Sequence, residues 1–242
     1  MLVDKIVYSN RGKNYGIVKS PQACNILRCG VNAGFGMRPK PFPIREPNPV
    51  QDKIILASSS PYRRQLLDRL HLDYECHSPD VDEVIHSGEL ATDYVCRLAQ
   101  AKARAIAQDY PEAVVIGADQ CALLDNKILG KPGSHEKALQ QLRRAQGKTV
   151  VFHTGVCVLN LARDFCLVED VPFEVEFRYL SDQQLEHYLR VEQPYDCAGS
   201  FKAEGYGACL FSALRGEDPN ALIGLPLLKL TTMLESAGIE VV

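Results

Sequence analysis

The chain has 242 residues, of which 46% are hydrophobic and 24% are charged, a balance typical of one sizeable globular unit or two lobes. It contains no run of about 18 apolar residues, which excludes a transmembrane helix, and its start lacks the apolar core of a secretory signal, so a cytoplasmic location is expected. The net charge is −3, with eight Lys/Arg against two acids in residues 1–50 (+6) and nineteen against twenty-eight in residues 51–242 (−9), and this acidic body argues against a broad nucleic-acid surface.

Cysteine and histidine spacing indicates no metal cluster. The nine cysteines are scattered, odd in number and free of Cys-x-x-Cys spacing, so neither a disulfide framework nor a zinc site is predicted. The six histidines also lack ligand spacing, and we interpret them as ordinary surface or core residues.

Residues 1–50 come first in chain order and show no sustained helical or strand periodicity. They end in two proline-rich stretches, PKPFP at 39–43 and PNP at 47–49, which are typical of a tail or linker. We interpret the segment as an unstructured extension or as upstream sequence translated from a wrongly assigned start, and a basic targeting or docking arm is the alternative. The globular domain is predicted to cover residues 51–242.

The stretch 53–64 joins a predicted strand directly to a predicted helix. Residues 54–57 form a short apolar run typical of a buried strand, and Ser60 followed by Pro61 is a strong helix start. Such a junction directs unpaired backbone N–H groups and the positive end of the helix dipole beyond the strand end. The sequence therefore predicts an anion site there.

Two arginines in the first turn of this helix face opposite ways. At about 100° per residue, Arg63 falls within the apolar stripe of the helix, whereas Arg64 lies on the far side. An inward arginine needs a partner, because burying an unpaired charge costs several kcal/mol. A phosphate or a structural carboxylate would serve equally well, and helix geometry alone does not separate the two.

An acidic loop and a second helix add further charged candidates. The loop at 78–83 places three carboxylates within four residues, which suits a hard cation such as Mg²⁺ but is also common in solvated loops. Thr92 is predicted to cap a helix that runs to about Gln108. Lys102 falls inside its apolar stripe, where it either reaches out to solvent or supplies a second inward cation.

The next candidate is an aspartate that follows a buried strand. Residues 113–116 form a continuous apolar run, and Asp119 comes next within Gly-Ala-Asp-Gln. Open α/β sheets bind ligands beyond the carboxyl ends of their strands, so Asp119 is expected either to take part in chemistry or to cap a turn. A hairpin over 121–129, turning near Asp125, leads to Lys131, a third candidate cation. The sequence contains no P-loop motif and no dinucleotide-binding glycine motif.

The rest of the chain predicts three more helices, a long hairpin and a glycine-rich loop. The helices are expected over 134–146, 181–191 and 220–237, the hairpin strands over 148–161 and 165–179, and the loop over 195–207. Glycines beside polar side chains in this loop indicate a backbone that approaches another group closely.

Five short motifs carry the strongest functional information: ASSSPYRR at 57–64, RLAQAKA at 97–103, GADQ at 117–120, GKP at 130–132 and GLP at 224–226. Together they resemble the Maf family of nucleoside triphosphate pyrophosphatases over about residues 53–237. The chain is most similar to the 7-methyl-GTP pyrophosphatases of that family, through Gly-x-Asp-Gln and CAGSFKAEG at 197–205. The resemblance implies an α/β fold with two lobes around an extended mixed β-sheet, a central cleft, a divalent metal cation (Mg²⁺ or Mn²⁺) and frequent homodimers.

The resemblance also implies roles for residues around the phosphates. Asp119 matches the family's proton acceptor, and together with Glu83 it is the expected ligand pair for the metal. The expected substrate-binding residues are Ser58, Arg63, Arg64, Glu83, Lys102 and Lys131.

Base choice is implied at Tyr62, Gln120 and Glu204, with Tyr62 at a position where this subfamily is expected to have Trp. The implied reaction is hydrolysis of 7-methyl-GTP to 7-methyl-GMP and pyrophosphate, which removes a modified nucleotide. The alternatives are a UTP or dTTP pyrophosphatase and a non-catalytic, nucleotide-binding regulator of septum formation. The expected partners are the nucleotide substrate and a second copy of the chain in a homodimer. No nucleic-acid partner and no membrane partner is expected.

Overall fold

The computed structural model describes residues 52–242, so the extension predicted over residues 1–50 lies outside the described residues. Seven strands form one mixed sheet: β1 (Ile54–Ala57), β2 (Tyr74–His77), β3 (Val114–Leu124), β4 (Lys127–Leu129), β5 (Thr149–Asn160), β6 (Phe165–Phe177) and β7 (Phe211–Gly216). Their order across the sheet is β2-β1-β3-β5-β6-β7, and β4 pairs with β3. The predicted α/β class with an extended mixed sheet is confirmed.

Helices lie against this sheet along most of the described chain. They are α1 (Pro61–Leu67), α2 (Ala91–Ala107), α3 (His135–Ala145), α4 (Asp182–Glu192), α5 (Pro219–Ile223) and α6 (Leu227–Ser236). Short 3₁₀ helices cover Asp68–Leu70, Ala198–Ser200 and Tyr206–Leu210. Between residues 52 and 242, no helix has the length and apolar character needed to cross a membrane.

The buried side chains of residues 52–242 form four clusters, and the three largest of them make up two lobes. In the first lobe, alternate residues of β1 point to opposite faces of the sheet: Leu56 packs with α1 and α6, whereas Ile55 packs with α2. The second lobe surrounds Phe152 and Phe173, where β5 and β6 extend past the first lobe and meet α3 and α4. The long strands are therefore shared by both lobes.

Strand β3 is longer than its apolar run predicts. The run at 113–116 is confirmed as strand, but β3 continues to Leu124, so the expectation that Asp119 follows the strand end is wrong. The parallel partner β1 stops at Ala57, opposite Gly117, while antiparallel pairing with β5 goes on to Leu123. Asp119 thus lies beyond the carboxyl end of β1 rather than that of its own strand.

Serine side chains cap three of the helices as predicted, but the predicted threonine cap is not formed. Ser60, Ser134 and Ser181 each accept the backbone N–H three residues on, as predicted for the starts of α1, α3 and α4. The prediction for Thr92 is wrong, because α2 begins at Ala91 and its N-cap residue, Leu90, makes no side-chain hydrogen bond. The Thr92 hydroxyl instead donates to Asp170 Oδ2 at 2.8 Å.

The C-terminal helix predicted over 220–237 is two helices. Gly224 adopts φ +120°, and Leu225 and Pro226 separate α5 from α6. Proline has no N–H to continue the helical hydrogen bonds, and glycine tolerates the positive φ. The break leaves the carbonyl groups at the end of α5 available to side chains of the first lobe.

Two glycines let α2 lie directly on the sheet. A Cβ on Gly117 would come within 2.1 Å of the Ala99 carbonyl oxygen, and a Cβ on Gly155 would come within 2.3 Å of the Val95 carbonyl oxygen. Both obstacles are backbone atoms, which cannot turn aside as a flexible side chain can. The close approach of α2 therefore depends on these two positions.

We expect Gly155→Ala to lower the free energy of unfolding by about 1–3 kcal/mol, the usual cost of overpacking, because α2 must shift away from the sheet. Urea unfolding followed by circular dichroism measures the change. Gly130→Ala is the matched control, since a Cβ there meets nothing within 4 Å. Equal stability of Gly155→Ala and the wild type would contradict this account of the packing.

Candidate active site

A cleft of about 620 Å³ opens beyond the carboxyl end of β1. Nine of the ten site residues named from the sequence line it: Ser58, Tyr62, Arg63, Glu83, Lys102, Asp119, Gln120, Lys131 and Glu204. Arg64 is not among the lining residues; it is exposed on the outer side of α1, where its carbonyl oxygen accepts the Tyr74 hydroxyl at 3.2 Å. The structure therefore separates the two arginines as the helix phase predicts, and it does not bring Arg64 to the cleft, contrary to the substrate-binding role that the resemblance implies for it.

A lysine held between two carboxylates forms the charged end of the cleft. Lys102 Nζ donates to Asp119 Oδ1 at 2.6 Å and lies 2.5 Å from Glu83 Oε1. The Lys102 side chain is 10% exposed and that of Asp119 is 9% exposed, whereas that of Glu83 is 55% exposed. The hydrogen bond from Lys102 lowers the pKa of the Glu83 carboxyl below its ordinary value, although burial works in the opposite direction.

The position of this pair follows from the packing of α2. Lys102 belongs to the buried face of α2, next to Ala103, which lies against Gly117 of β3. A lysine on that face cannot reach bulk solvent directly, so its ammonium group extends along the sheet to Asp119. Burying the charge of Lys102 or of Asp119 alone would cost several kcal/mol of folding free energy. The contacts of Lys102 with Asp119 and Glu83 offset that cost.

The loop between β2 and α2 brings Glu83 to the cleft and is attached to α2 by two side chains. The Tyr94 hydroxyl donates to the Glu83 carbonyl oxygen at 3.1 Å. Arg97 donates to the Val84 carbonyl oxygen at 3.1 Å and to both carboxylate oxygens of Glu89, at 2.6 and 2.8 Å. The Arg97 hydrogen bonds lower the pKa of the Glu89 carboxyl to about 2. Glu89 therefore stays ionised well below the ordinary titration range of a glutamate, and the ion pair that attaches the loop persists into acidic pH.

Arg63 points into the cleft without a carboxylate partner. Its Nε donates to the Gly224 carbonyl oxygen at 2.9 Å, and within residues 52–242 it makes no ion pair closer than 4.0 Å. Burial lowers the pKa of the guanidinium from its ordinary value, although the nearby charges of Asp119 and Glu83 raise it. An inward arginine that has only a neutral partner is suited to an anionic ligand.

The three residues expected to contact the base also line the cleft. Gln120 Nε2 donates to the Ala221 carbonyl oxygen at 2.7 Å and to Thr154 Oγ1 at 3.1 Å, so its amide nitrogen is committed to the protein. Tyr62 is half-buried, and burial raises the pKa of its phenol. Glu204 is exposed at the cleft rim.

Several lining residues were missed by the sequence reasoning. Asp196, Cys197 and Lys202 lie near Tyr62, which with Glu204 defines the Tyr62 end of the cleft, and Tyr94 lies near Asp119 and Glu83 at the charged end. The first three belong to the glycine-rich loop, whose composition indicated close approach to another group but did not indicate which side chains face inward. Tyr94 offered no such indication, because an aromatic residue in a helix usually belongs to the core.

Glu83 and Asp119 are the residues that fit a hard cation. Both present carboxylate oxygens to one point, now filled by the Lys102 ammonium, and two carboxylates together with substrate phosphates are a usual ligand set for Mg²⁺. Within the described part of the chain there is no group of three or more His, Cys, Asp or Glu residues that could hold a metal by itself. A cation here would consequently depend on ligands from a bound anion.

Comparison with known proteins gives consistent matches over the described domain. Residues 53–237 match the Maf-like protein family. A 7-methyl-GTP pyrophosphatase of Nitrosococcus oceani is 51% identical over 81% of this chain and 98% of its own length. Proteins of the same name from Pseudomonas aeruginosa and Methylobacillus flagellatus are 53% and 51% identical, each over 78% of this chain and 98% of their own length. A family match over most of the chain, with relatives at about half identity, shows that the chain belongs to the Maf family.

Proposed function

We propose that this chain is a nucleoside triphosphate pyrophosphatase that hydrolyses 7-methyl-GTP to 7-methyl-GMP and pyrophosphate. The observation that carries the proposal is the buried Lys102–Asp119 pair beside Arg63 in one cleft. Cations neutralise a triphosphate, and a carboxylate next to them can accept a proton from the attacking water. The name shared by relatives that are 51% and 53% identical supports the choice of substrate.

Three cations are available to the triphosphate. Arg63 and Lys102 face the cleft from α1 and α2, and Lys131 lines it from the loop after β4. Arg63 uses only Nε for the Gly224 carbonyl, so the outer edge of its planar guanidinium is left for two phosphate oxygens. Their combined charge offsets the repulsion that a nucleophile would meet near the substrate.

Asp119 is the proposed general base. A water oxygen attacks the α-phosphorus, the bond between that phosphorus and its bridging oxygen breaks, and pyrophosphate leaves with the bonding electrons. Asp119 accepts the proton that the water loses. Phosphate oxygens compete for Lys102, and a lysine that turns towards them frees the Asp119 carboxylate from its 2.6 Å contact.

A divalent cation, Mg²⁺ or Mn²⁺, would be held by Glu83 and Asp119 together with the phosphates, and when bound it would neutralise charge on the triphosphate. Glu83 is well placed for this role because its carboxylate is more than half exposed and already faces a cation. Its lowered pKa keeps it ionised, and hence able to bind a cation, below the ordinary titration range of a glutamate.

The proposed base site uses an aromatic face and a carboxylate. Methylation at N7 gives guanine a delocalised positive charge, and stacking on Tyr62 favours that cation over a neutral base by about 0.5–2 kcal/mol. Glu204 can accept hydrogen bonds from the guanine N1–H and exocyclic amine, a pattern that pyrimidines do not offer. Gln120, whose amide nitrogen is held by α5, presents its oxygen as a further acceptor.

We expect Asp119→Asn to reduce kcat by about 10²–10⁴-fold while nucleotide affinity is largely kept, because the charge of the base is lost and its shape is not. Pyrophosphate release and calorimetric binding of the nucleotide measure the two effects. Asp125→Asn is the matched control, since Asp125 lies outside the cleft in the β3–β4 turn. Near wild-type turnover by Asp119→Asn would rule it out as the base.

Arg63→Ala should weaken triphosphate binding and turnover, and Arg64→Ala should have a smaller effect, because only Arg63 faces the cleft. The loss expected for Arg63 is at least tenfold in kcat/KM, since a hydrogen bond to a charged group contributes about 1.5–3 kcal/mol. Steady-state kinetics of the two variants side by side give the comparison. If Arg64→Ala proves the more damaging, the assignment of Arg63 to the phosphates is wrong.

The enzyme should have a higher kcat/KM for 7-methyl-GTP than for GTP, UTP or dTTP, because Tyr62 and Glu204 favour a cationic purine. A panel of these nucleotides with Mg²⁺ or Mn²⁺ and a pyrophosphate assay measures the order. Glu204→Ala should lose activity on 7-methyl-GTP selectively. Equal or better rates with UTP or dTTP would reject 7-methyl-GTP as the preferred substrate. If none of the four nucleotides released pyrophosphate, an enzymatic role would be rejected.

A further inference from the structure

The loop that carries Glu204 is tightly folded and has little regular structure of its own. It runs from Lys202 into the 3₁₀ helix Tyr206–Leu210. A Cβ on Gly207 would come within 2.2 Å of the Lys202 carbonyl oxygen, so the chain doubles back on itself here. Glu204 is exposed at the tip of this turn, so its position depends on how the turn is attached to the rest of the protein.

The attachment is the last turn of α4, and its main component is Glu192. The Glu192 Oε2 atom accepts the Tyr206 backbone N–H at 2.9 Å, and Oε1 lies 3.5 Å from Lys202 Nζ. Lys202 Nζ also donates to the Glu192 carbonyl oxygen at 3.1 Å. One residue therefore holds both ends of the turn, on either side of Glu204.

Packing leaves little freedom around this contact. A Cβ on Gly205 would come within 3.0 Å of Glu192 Oε2, so the carboxylate lies directly against the turn. Tyr188, one helical turn before Glu192, accepts the Lys202 backbone N–H at 3.2 Å through its hydroxyl, and its ring stacks on Tyr206 with centroids 5.9 Å apart. The Glu192 side chain is 17% exposed, and Glu192 is not among the residues that line the cleft.

Glu192 also compensates a charge that would oppose a cationic ligand. Lys202 lines the cleft at the same end as Tyr62. An unpaired ammonium group there would repel a positively charged base. The hydrogen bond to the Glu192 carbonyl holds the ammonium at the end of α4, and the Glu192 carboxylate compensates its charge. Among residues 52–242, this leaves Glu204 and Asp196 near Tyr62 without an ion-pair partner within 4.0 Å.

We propose that Glu192 is a positioning residue for base selection, which fixes the turn that carries Glu204 and neutralises Lys202. The inference rests on the proposed function, because it assigns Glu204 to the base of the substrate. It does not involve the phosphate end, where Lys102 and Asp119 belong to α2 and β3. Loss of Glu192 should therefore change discrimination between bases more than it changes the chemical step.

The test compares Glu192→Gln and Glu192→Ala with the wild type on 7-methyl-GTP and UTP. Glu192→Ala removes the two carboxylate contacts, to the Tyr206 N–H and to Lys202 Nζ, and keeps the backbone carbonyl contact. It should lower kcat/KM for 7-methyl-GTP about tenfold or more, chiefly through KM, since a displacement of about 1 Å can cost about 10²-fold. The value for UTP should change less than threefold. Glu192→Gln keeps an acceptor for the Tyr206 N–H but loses the charge, so its loss should be intermediate.

A second variant tests the charge compensation separately. Adding Lys202→Met to Glu192→Gln removes the unpaired ammonium and should restore at least part of the preference for 7-methyl-GTP over UTP. Glu176→Gln, which breaks a surface ion pair with Arg215 outside the cleft, is the matched control and should leave the preference unchanged. Exchange of the Tyr206 amide hydrogen should become faster in Glu192→Ala.

Three results would overturn the proposal: equal loss on both nucleotides, a loss confined to kcat, or an unchanged Tyr206 amide. If the double variant Glu192→Gln/Lys202→Met shows the same preference as Glu192→Gln alone, the part of the proposal that concerns neutralisation of Lys202 is wrong. Failure of the proposed function looks different, since the wild type itself would then show no preference for 7-methyl-GTP.

Discussion

The ion pair between Lys102 and Asp119 is the interaction on which the site depends. Both side chains are about nine-tenths buried, so each needs the other's charge, and the pair exists only because α2 lies flat on β3 and β5. That packing in turn requires glycine at 117 and 155. Glu83 completes the group from a loop that Tyr94 and Arg97 attach to the same helix. One helix thereby carries the cation, supports the loop and covers the sheet.

A broken helix serves the other side of the cleft. Because α5 ends at Ile223 and the chain breaks at Gly224, three carbonyl oxygens near this break accept side-chain donors: Gly224 accepts Arg63, while Ala221 and Leu222 accept Gln120. Neutral acceptors orient these side chains without cancelling charge. Arg63 thus keeps its full positive charge for a ligand, which an ion pair with a structural carboxylate would have compensated.

Local signals predicted the local features of this fold. The starts of three helices could be predicted from Ser60, Ser134 and Ser181, because a hydroxyl cap acts within three residues. The inward direction of Arg63 followed from helical periodicity alone. The length of β3 and the break at Gly224 could not be read in the same way. Both are decided by pairing and packing with segments far away in the sequence, and the apolar run at 113–116 covers only the start of β3, which stays buried through Asp119.

The charged end of the cleft, around Lys102, could be predicted better than the Tyr62 end, because local signals say little about contacts between distant segments. Lys102 stands in a regular helix, where spacing along the chain placed it on the apolar face, whereas Asp119 was expected to follow a strand end and lies within β3 instead. Glu204 stands in a turn whose shape is set by Glu192 and Tyr188, twelve and sixteen residues earlier, and no period connects them. The turn that carries Glu204 is supported from α4, whereas the Lys102–Asp119 pair joins α2 to β3. Changes at the end of α4 are therefore expected to leave that pair in place. On the proposed assignment of Glu204 to the base, such a fold keeps one hydrolytic centre while the supports of the turn that carries Glu204 change which nucleotide it accepts.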